Sequence, residues 1–326
     1  MVYIVIMAGG IGQRFWPYSS PSNPKQCQRI WSKESLYQST VKRALKLVSP
    51  EQVFVVTSAT MQQSIASQTE SIPLQNILVE PSGRNTAPSL ALAARKIITL
   101  GGGTIIVWPS DHEIIDEDDW LNLHRDAVPF CGEDKMVIVG IKPTRPATGF
   151  GYIRFTRQNN SHIVNAFVEK PDLQTALKFV ESNSYMWNAG VLVAHTSILQ
   201  KQFEQHLPQT WSAICTDDLR HNWNQTERVS IDQGILEKTS ELWMFPFHGG
   251  WSDMGTWDAI GHKLNPKEGN NILAQSFVSF DSHGCTVVAP NRNVQLLGVR
   301  DLIIVNGPDG LLIMDPKFAQ KVTPKV

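Results

Sequence analysis

The chain has 326 residues, 42% apolar and 18% charged, with 29 Lys and Arg against 30 Asp and Glu, a formal net charge of −1. That balance gives no general basic face, which argues against an overall affinity for nucleic acid or for an anionic membrane surface. At roughly one domain per 150 residues the length suggests two domains.

The opening residues Met1–Met7 lack a basic n-region, so a first strand is expected there and not a leader. Cys27, Cys131, Cys215 and Cys285 make no CxxC pair, and no apolar run is long enough for a membrane-spanning helix. Free thiols and a cytoplasmic setting are the expectation.

Strands are predicted at Val2–Met7, Gln52–Val56, Asn76–Val79, Thr104–Trp108 and Met136–Gly140. Helices are predicted between them, at Leu36–Leu47, Thr60–Thr69, Thr86–Leu100 and Glu117–Val128. Continuous apolar strands between helices predict an α/β fold with a mixed, mostly parallel sheet covered on both faces. The acidic run Asp116–Asp119 falls at a helix start, where it complements the dipole. Further on, Tyr152–Phe155 and Ile163–Glu169 read as paired strands. Leu173–Glu181 reads as a helix, Val191–Ala194 as a strand, Ile198–His206 as a helix and Leu242–Pro246 as a strand. After about Lys263 only short apolar pieces remain, at 277–280, 285–288, 294–297, 302–305 and 311–314. With no helix between them, they suggest a small β-solenoid.

In open α/β sheets ligands bind beyond the carboxyl ends of the strands. There the chain places Ala8-Gly9-Gly10-Ile11-Gly12-Gln13-Arg14, Glu80-Pro81-Ser82-Gly83 and Pro109-Ser110-Asp111-His112. Glycine N–H groups can cradle an anion, but Phe15 stands where a dinucleotide fingerprint needs its third glycine, and no Gly-Lys-Ser/Thr exists. A plain structural turn stays open for this loop. Arg14 and Lys25 nearby would suit a triphosphate, or are simply two solvated surface cations. Asp111 is either a Mg²⁺ ligand or a helix cap. Asp253, after the turn Gly249-Gly250-Trp251-Ser252, could bring a second carboxylate to the same crevice or merely cap a helix at Thr256–Leu264. His112 is expected to pack or hydrogen-bond, and Trp251 and Trp257 to pack.

Taken together the segments resemble the sugar-1-phosphate nucleotidyltransferases. The glycine loop with Trp16-Pro17 and Pro24-Lys25-Gln26, and Phe167-Val168-Glu169-Lys170-Pro171, mark the superfamily. Glu80-Pro81-Ser82-Gly83-Arg84-Asn85-Thr86-Ala87-Pro88 marks the mannose branch. Gly140–Thr144, Thr148–Ile153, Trp187-Asn188-Ala189-Gly190 and Trp251–Trp257 continue the likeness over nearly the whole chain.

The resemblance implies a Rossmann-like nucleotidyltransferase domain over residues 1–265 and a short left-handed β-helix over 266–326. It implies transfer of GMP from GTP to mannose 1-phosphate, giving GDP-mannose and pyrophosphate, with Mg²⁺. Ala8, Gly9, Gly10, Gly12, Glu80, Gly83, Arg84, Asn85, Thr86 and Ser110 would meet the nucleotide. Arg14 and Lys25 would clamp its phosphates. Gly149, Glu169 and Asn188 would hold the sugar, Lys170 its phosphate, and Asp111 and Asp253 the metal. Outside that context Glu169-Lys170 reads as an exposed strand-end pair and Trp187-Asn188 as packing and turn.

The chain departs from the family pattern at Gln13, Phe15, Ser20, Phe150 and Gln233. Longer relatives carry an isomerase domain, so no isomerase activity is expected here. The C-terminal segment is expected to serve packing or dimer contact, not chemistry, and a homodimer is compatible with it. The alternatives are the same reaction on another sugar phosphate or nucleotide, and a catalytically silent, nucleotide-sugar-binding regulator.

Overall fold

The computed structural model describes residues 1–324 except 31, 159, 160, 217, 262 and 265. Sixteen strands occur among the described residues. They are β1 (Val2–Met7), β2 (Val53–Ser58), β3 (Ile77–Glu80), β4 (Thr104–Pro109), β5 (Glu113–Ile114), β6 (Met136–Ile141), β7 (Tyr152–Gln158) and β8 (Ser161–Val168), followed by β9 (Tyr185–His195), β10 (Leu242–Phe247), β11 (Trp251–Ser252), β12 (Pro266–Lys267), β13 (Asn270–Phe280), β14 (Thr286–Leu297), β15 (Ile303–Gly307) and β16 (Gly310–Met314). The helices are α1 (Leu36–Ala44), α2 (Gln62–Ala66), α3 (Thr86–Thr99), α4 (Glu117–Cys131), α5 (Leu173–Ser182), α6 (Thr196–His206), α7 (Pro208–Ile214), α8 (Leu219–Asn222) and α9 (Trp257–Gly261).

One nine-stranded sheet, ordered β3-β2-β1-β4-β9-β6-β10-β8-β7, carries the first domain. β1, β2, β3 and β4 run parallel, because each returns through a helix. β9 then enters antiparallel to both β4 and β6, so the sheet is mixed. β9 is longer than its predicted core, and its first residues also pair with β7, Trp187 facing Tyr152. Ile4, Val5 and Ile6 of β1 are fully buried because helices cover both faces of the sheet.

Local chemistry fixes the helix starts. Ser35 and Gln38 form a reciprocal capping box on α1. The Asp116 carboxylate accepts from the Asp119 N–H ahead of α4, as the acidic run suggested. Asn85, at φ 71°, caps the Ala-rich α3.

The C-terminal domain stacks β13, β14 and β15 in parallel register, one coil above the next, with β16 folding back on β15. Two expectations are corrected here. The pieces at 277–280, 285–288 and 294–297 belong to two long strands. β14 runs through Pro290–Asn293, where its pairing with β13 shifts register from Ala274↔Ala289 to Ser276↔Asn293. This bend, polar in sequence, had read as a break between strands. The domain also contains a 3₁₀ helix, Pro316–Lys321, capped by Asp315. No helix among the described residues is long and apolar enough to cross a membrane.

Candidate active site

The glycine loop leaves β1 and turns at Gly12, whose backbone is left-handed at φ 70°. A Cβ there would lie 2.4 Å from the Lys25 Cβ, so glycine is what lets the Lys25 stem cross the loop. Ser19 Oγ ties the turn down by donating to the Gly12 carbonyl at 2.6 Å. Lys25 is 4% exposed, and its ammonium lies 5.1 Å from the centre of the Phe15 ring. The ammonium donates to Asp111 Oδ2 at 2.8 Å and to the main-chain carbonyl of Asp253 at 2.8 Å.

The two aspartates meet through a small antiparallel ribbon. β5 follows Asp111-His112, β11 precedes Asp253, and they pair Ile114 with Trp251 and Glu113 with Ser252. Trp251 Nε1 donates to His112 Nδ1 at 3.2 Å across the same junction. Burial lowers the His112 pKa against the pull of Asp111 and Asp253. His112 therefore packs and accepts a hydrogen bond, as expected. Burial works against the Asp111 carboxylate, but Lys25 and His112 hold its pKa below the ordinary value. Asp253 Oδ1 accepts from the Gly255 N–H at 3.2 Å, a turn-capping bond.

Two adjoining clefts share Gly9. The first, of about 620 Å³, is lined by Gly12, Gln13, Arg14, Lys25, Asp111 and Asp253. Gln320, Val322 and Thr323 of the C-terminal segment, expected to serve packing or dimer contact, line it too. The second, of about 380 Å³, is lined by Gly10, Glu80, Gly83, Asn85, Thr86, Asn188 and Asp232, among apolar side chains. Beside Gly10, Gly83 and Gly149 a Cβ would meet no atom within 4 Å, so their backbones face open space.

Glu80 ends β3 at 5% exposure, held by the Ser89 hydroxyl. Burial raises its pKa to about 7, with Ser89 opposing. Asn188 Nδ2 donates to Asp232 Oδ1 at 2.9 Å, while its Oδ1 accepts from the Gly190 N–H at 3.1 Å, which fixes the amide both ways. Burial, and then the nearby Glu169 charge, push Asp232 up to about 6.

Glu169 pairs with Lys170 at 2.8 Å, and a Cβ at Gly151 would lie 2.7 Å from Glu169 Oε2. Lys170 has a positive φ of 46° and a 59% exposed side chain, and neither Glu169 nor Lys170 is among the residues lining the two clefts.

Three expected residues make contacts within the scaffold. Buried Ala8 accepts on its carbonyl from Thr57 Oγ1 at 3.0 Å. Buried Ser110 accepts on its carbonyl from Thr40 Oγ1. Arg84 donates to the Thr226 carbonyl and to Asn224 Oδ1, each at 3.0 Å, and so ties its loop to the segment after α8. None of the three lines either cleft. Trp257 is fully buried and Trp251 half-buried. Gln13 lines the charged cleft, while Ser20 only bonds locally to Ser22 and Asn23.

Sequence reasoning did not single out Asp232 or Gln320. Asp232 opens a π-helical turn, Asp232–Leu236, whose irregular hydrogen bonding leaves no periodic trace in sequence.

The description "Nucleotidyl transferase" fits residues 3–267, and "MannoseP isomerase/GMP-like beta-helix domain" fits residues 275–326. The alginate biosynthesis protein AlgA of Pseudomonas aeruginosa is 31% identical over 98% of this chain and 70% of its own length. The mannose-1-phosphate guanylyltransferase of Escherichia coli K12 is 30% identical over 98% of this chain and 72% of its own. A crystal structure from Thermus thermophilus, named a mannose-1-phosphate geranyltransferase, superimposes with a TM-score of 0.91 at 28% identity. It covers 98% of this chain and 97% of that one. The chain belongs to the nucleotidyl transferase family, among the relatives of the mannose-1-phosphate guanylyltransferases.

Proposed function

We propose that this protein transfers GMP from GTP to mannose 1-phosphate, releasing pyrophosphate and forming GDP-mannose. The observation that carries the reading is the buried Lys25 ammonium, braced by Asp111 and the Asp253 carbonyl at the wall of a cleft shared with Arg14. A phosphate oxygen of the sugar phosphate attacks the α-phosphorus in line. One P–O bond forms as the bond from α-phosphorus to the bridging oxygen breaks, and pyrophosphate leaves. Such transfer depends on positioning and charge stabilisation and needs no covalent nucleophile. Lys25 and Arg14 would stabilise charge on the transferring and leaving phosphates. Glu80, Asn85 and Thr86 would receive the nucleoside, and Glu169, Lys170 and Asn188 the sugar phosphate.

The donor set fits Mg²⁺. Asp111 and Asp253 line one cleft, beside His112, and would offer carboxylate oxygens to a hard cation, while no cluster of three or more His, Cys, Asp or Glu side chains that could hold a metal occurs among the described residues. Mg²⁺ typically takes one or two carboxylates and completes its shell with phosphate oxygens and water. When bound there it would neutralise phosphate charge.

A division near residue 265 and a cytoplasmic setting accord with the sheet topology and the four free cysteines. The test is pyrophosphate release by the purified protein across a panel of nucleoside triphosphates and sugar 1-phosphates. Turnover with GTP and mannose 1-phosphate well above all other pairs is expected. Preference for another pair refutes the substrate assignment. GDP-mannose binding without any turnover refutes the reaction.

A further inference from the structure

The second domain is joined to the back of the glycine loop. Phe15, Met254 and Trp257 share one apolar cluster with Val288, Ile303 and Val305 of the β-helix. Trp257 Nε1 donates to the Trp16 carbonyl at 3.1 Å, and the Asp309 N–H donates to the Pro17 carbonyl at 3.2 Å. At Gly307 a Cβ would come within 2.7 Å of the Pro17 carbonyl oxygen, so the two backbones touch. The 3₁₀ helix Pro316–Lys321 packs on the turn Gln13–Phe15 and on α9, with Ala319 buried between. The segment after it is thereby held at the charged cleft, where Gln320 and Thr323 line the wall.

Their chemistry suits a phosphate. Both side chains are exposed, and neither hydrogen-bonds to another group among the described residues. Each offers a neutral donor, an amide N–H or a hydroxyl. Lys321, between them in sequence, makes no ion pair among the described residues and rests 5.5 Å from the Phe318 ring. It lines a groove that shares Val322 and Thr323 with the cleft. Position along the site selects which phosphate. Glu80, Asn85 and Thr86 line the other cleft, and Gly9 is the residue the two have in common. A triphosphate whose base lies beside Glu80 therefore directs its far end to the side that Gln320 and Thr323 close.

We propose that Gln320 and Thr323 hydrogen-bond the terminal phosphates of the bound nucleoside triphosphate, so that the β-helix domain supplies the outer wall of the pyrophosphate subsite. The proposal rests on the reading of the charged cleft as a triphosphate site.

The test is calorimetric titration of the full chain with GTP and with GMP, Mg²⁺ present, for wild type and for the double variant Gln320→Ala, Thr323→Val. Loss of hydrogen bonds to a charged phosphate should weaken GTP about tenfold while GMP stays within about twofold. The KM for GTP should rise and the KM for mannose 1-phosphate should not. Both side chains are exposed, so the melting temperature should hold. GTP and GMP weakening together, or neither weakening, overturns the proposal. Gln320→Glu is a second and independent arm. It sets a negative charge against the phosphates and should weaken GTP at least as much, and wild-type GTP affinity in it also overturns the proposal. Wild-type turnover is read separately. Its absence refutes the reaction and not the subsite, which the comparison of GTP with GMP decides.

Discussion

Lys25 reaches Asp253 through the main chain: its ammonium donates to the Asp253 carbonyl oxygen at 2.8 Å and leaves the carboxylate to other work. The structural tie and the side-chain charge of Asp253 can therefore be separated by substitution. Asp253→Asn keeps the carbonyl that Lys25 uses and an Oδ1 that can still accept from Gly255. Its melting temperature should stay within a few degrees of wild type. If the carboxylate holds Mg²⁺, the variant should lose most of its activity and need a higher Mg²⁺ concentration for what remains. Activity measured against Mg²⁺ concentration, beside a melting curve, checks both. A normal Mg²⁺ requirement with normal turnover leaves Asp253 as a turn cap only.

Lys25→Met should cost catalysis and stability together. Losing one electrostatic stabiliser typically lowers turnover about 100-fold or more. The substitution also leaves Asp111, about a third exposed, without the cation that offsets its burial. A stability loss of about 1–3 kcal/mol is expected at neutral pH, toward the low end because solvent screens the group. The sign with pH follows from the lowered Asp111 pKa. In wild type the ion pair's contribution is present above the unfolded carboxylate's pKa and is lost as pH falls through the folded value. The gap between wild type and Lys25→Met should therefore narrow on acidification from about pH 7 to about pH 3. Melting curves at the two pH values test this, and a constant gap would show that the lost stability comes from packing.

Glu80, raised to about 7 chiefly by burial, changes charge within the working range. An ionised carboxylate only accepts hydrogen bonds, and guanine presents N–H donors along one edge. If Glu80 receives that edge, kcat/KM for GTP should rise with pH through about 7 and level off above it. Glu80→Gln should lie at least about tenfold lower on the plateau and lack that limb. The limb persisting in Glu80→Gln would assign it to another group.

Much of this arrangement could be read from the chain, for physical reasons that differ residue by residue. β1 and the loop from Gly9 to Arg14 announce themselves because a buried parallel strand is uniformly apolar and a tight turn needs glycine. The acidic start of α4 follows from dipole and capping chemistry that acts within one helical turn. The meeting of Asp111 with Asp253 has no local signature. It depends on the pairing of β5 with β11, two residues each, too short for any periodicity. The same holds for Asp232, on a π-helical turn. Gln320 is brought to the cleft only by the packing of Phe15 and Trp257 against the second domain. Arg84 was legible as part of a recognisable segment, but its bonds to Thr226 and Asn224, more than 100 residues away, were not.

Asp232 gives the prediction that joins stability, pH and specificity. Its carboxylate accepts from Asn188 Nδ2 at 2.9 Å, and burial and then the Glu169 charge raise its pKa to about 6. An unfolded Asp titrates near 3.9. Folding thus favours the protonated form, and the protein loses stability as pH rises between about 4 and about 6. Asp232→Asn cannot ionise and retains an oxygen that can accept from Asn188. The variant should therefore gain on wild type through that window and settle at an advantage on the order of 1 kcal/mol above it. Asp232 and the Gly190 N–H together fix which way the Asn188 amide faces, and an asparagine at 232 can turn its own amide and release that choice. The KM for mannose 1-phosphate should rise severalfold while the KM for GTP moves little. Melting curves from about pH 4 to about pH 8 and kinetics with each substrate varied in turn check the two halves. A stability difference that does not change with pH would place the carboxylate's titration outside this window. Equal rises in both KM values would remove Asp232 from the sugar side of the site.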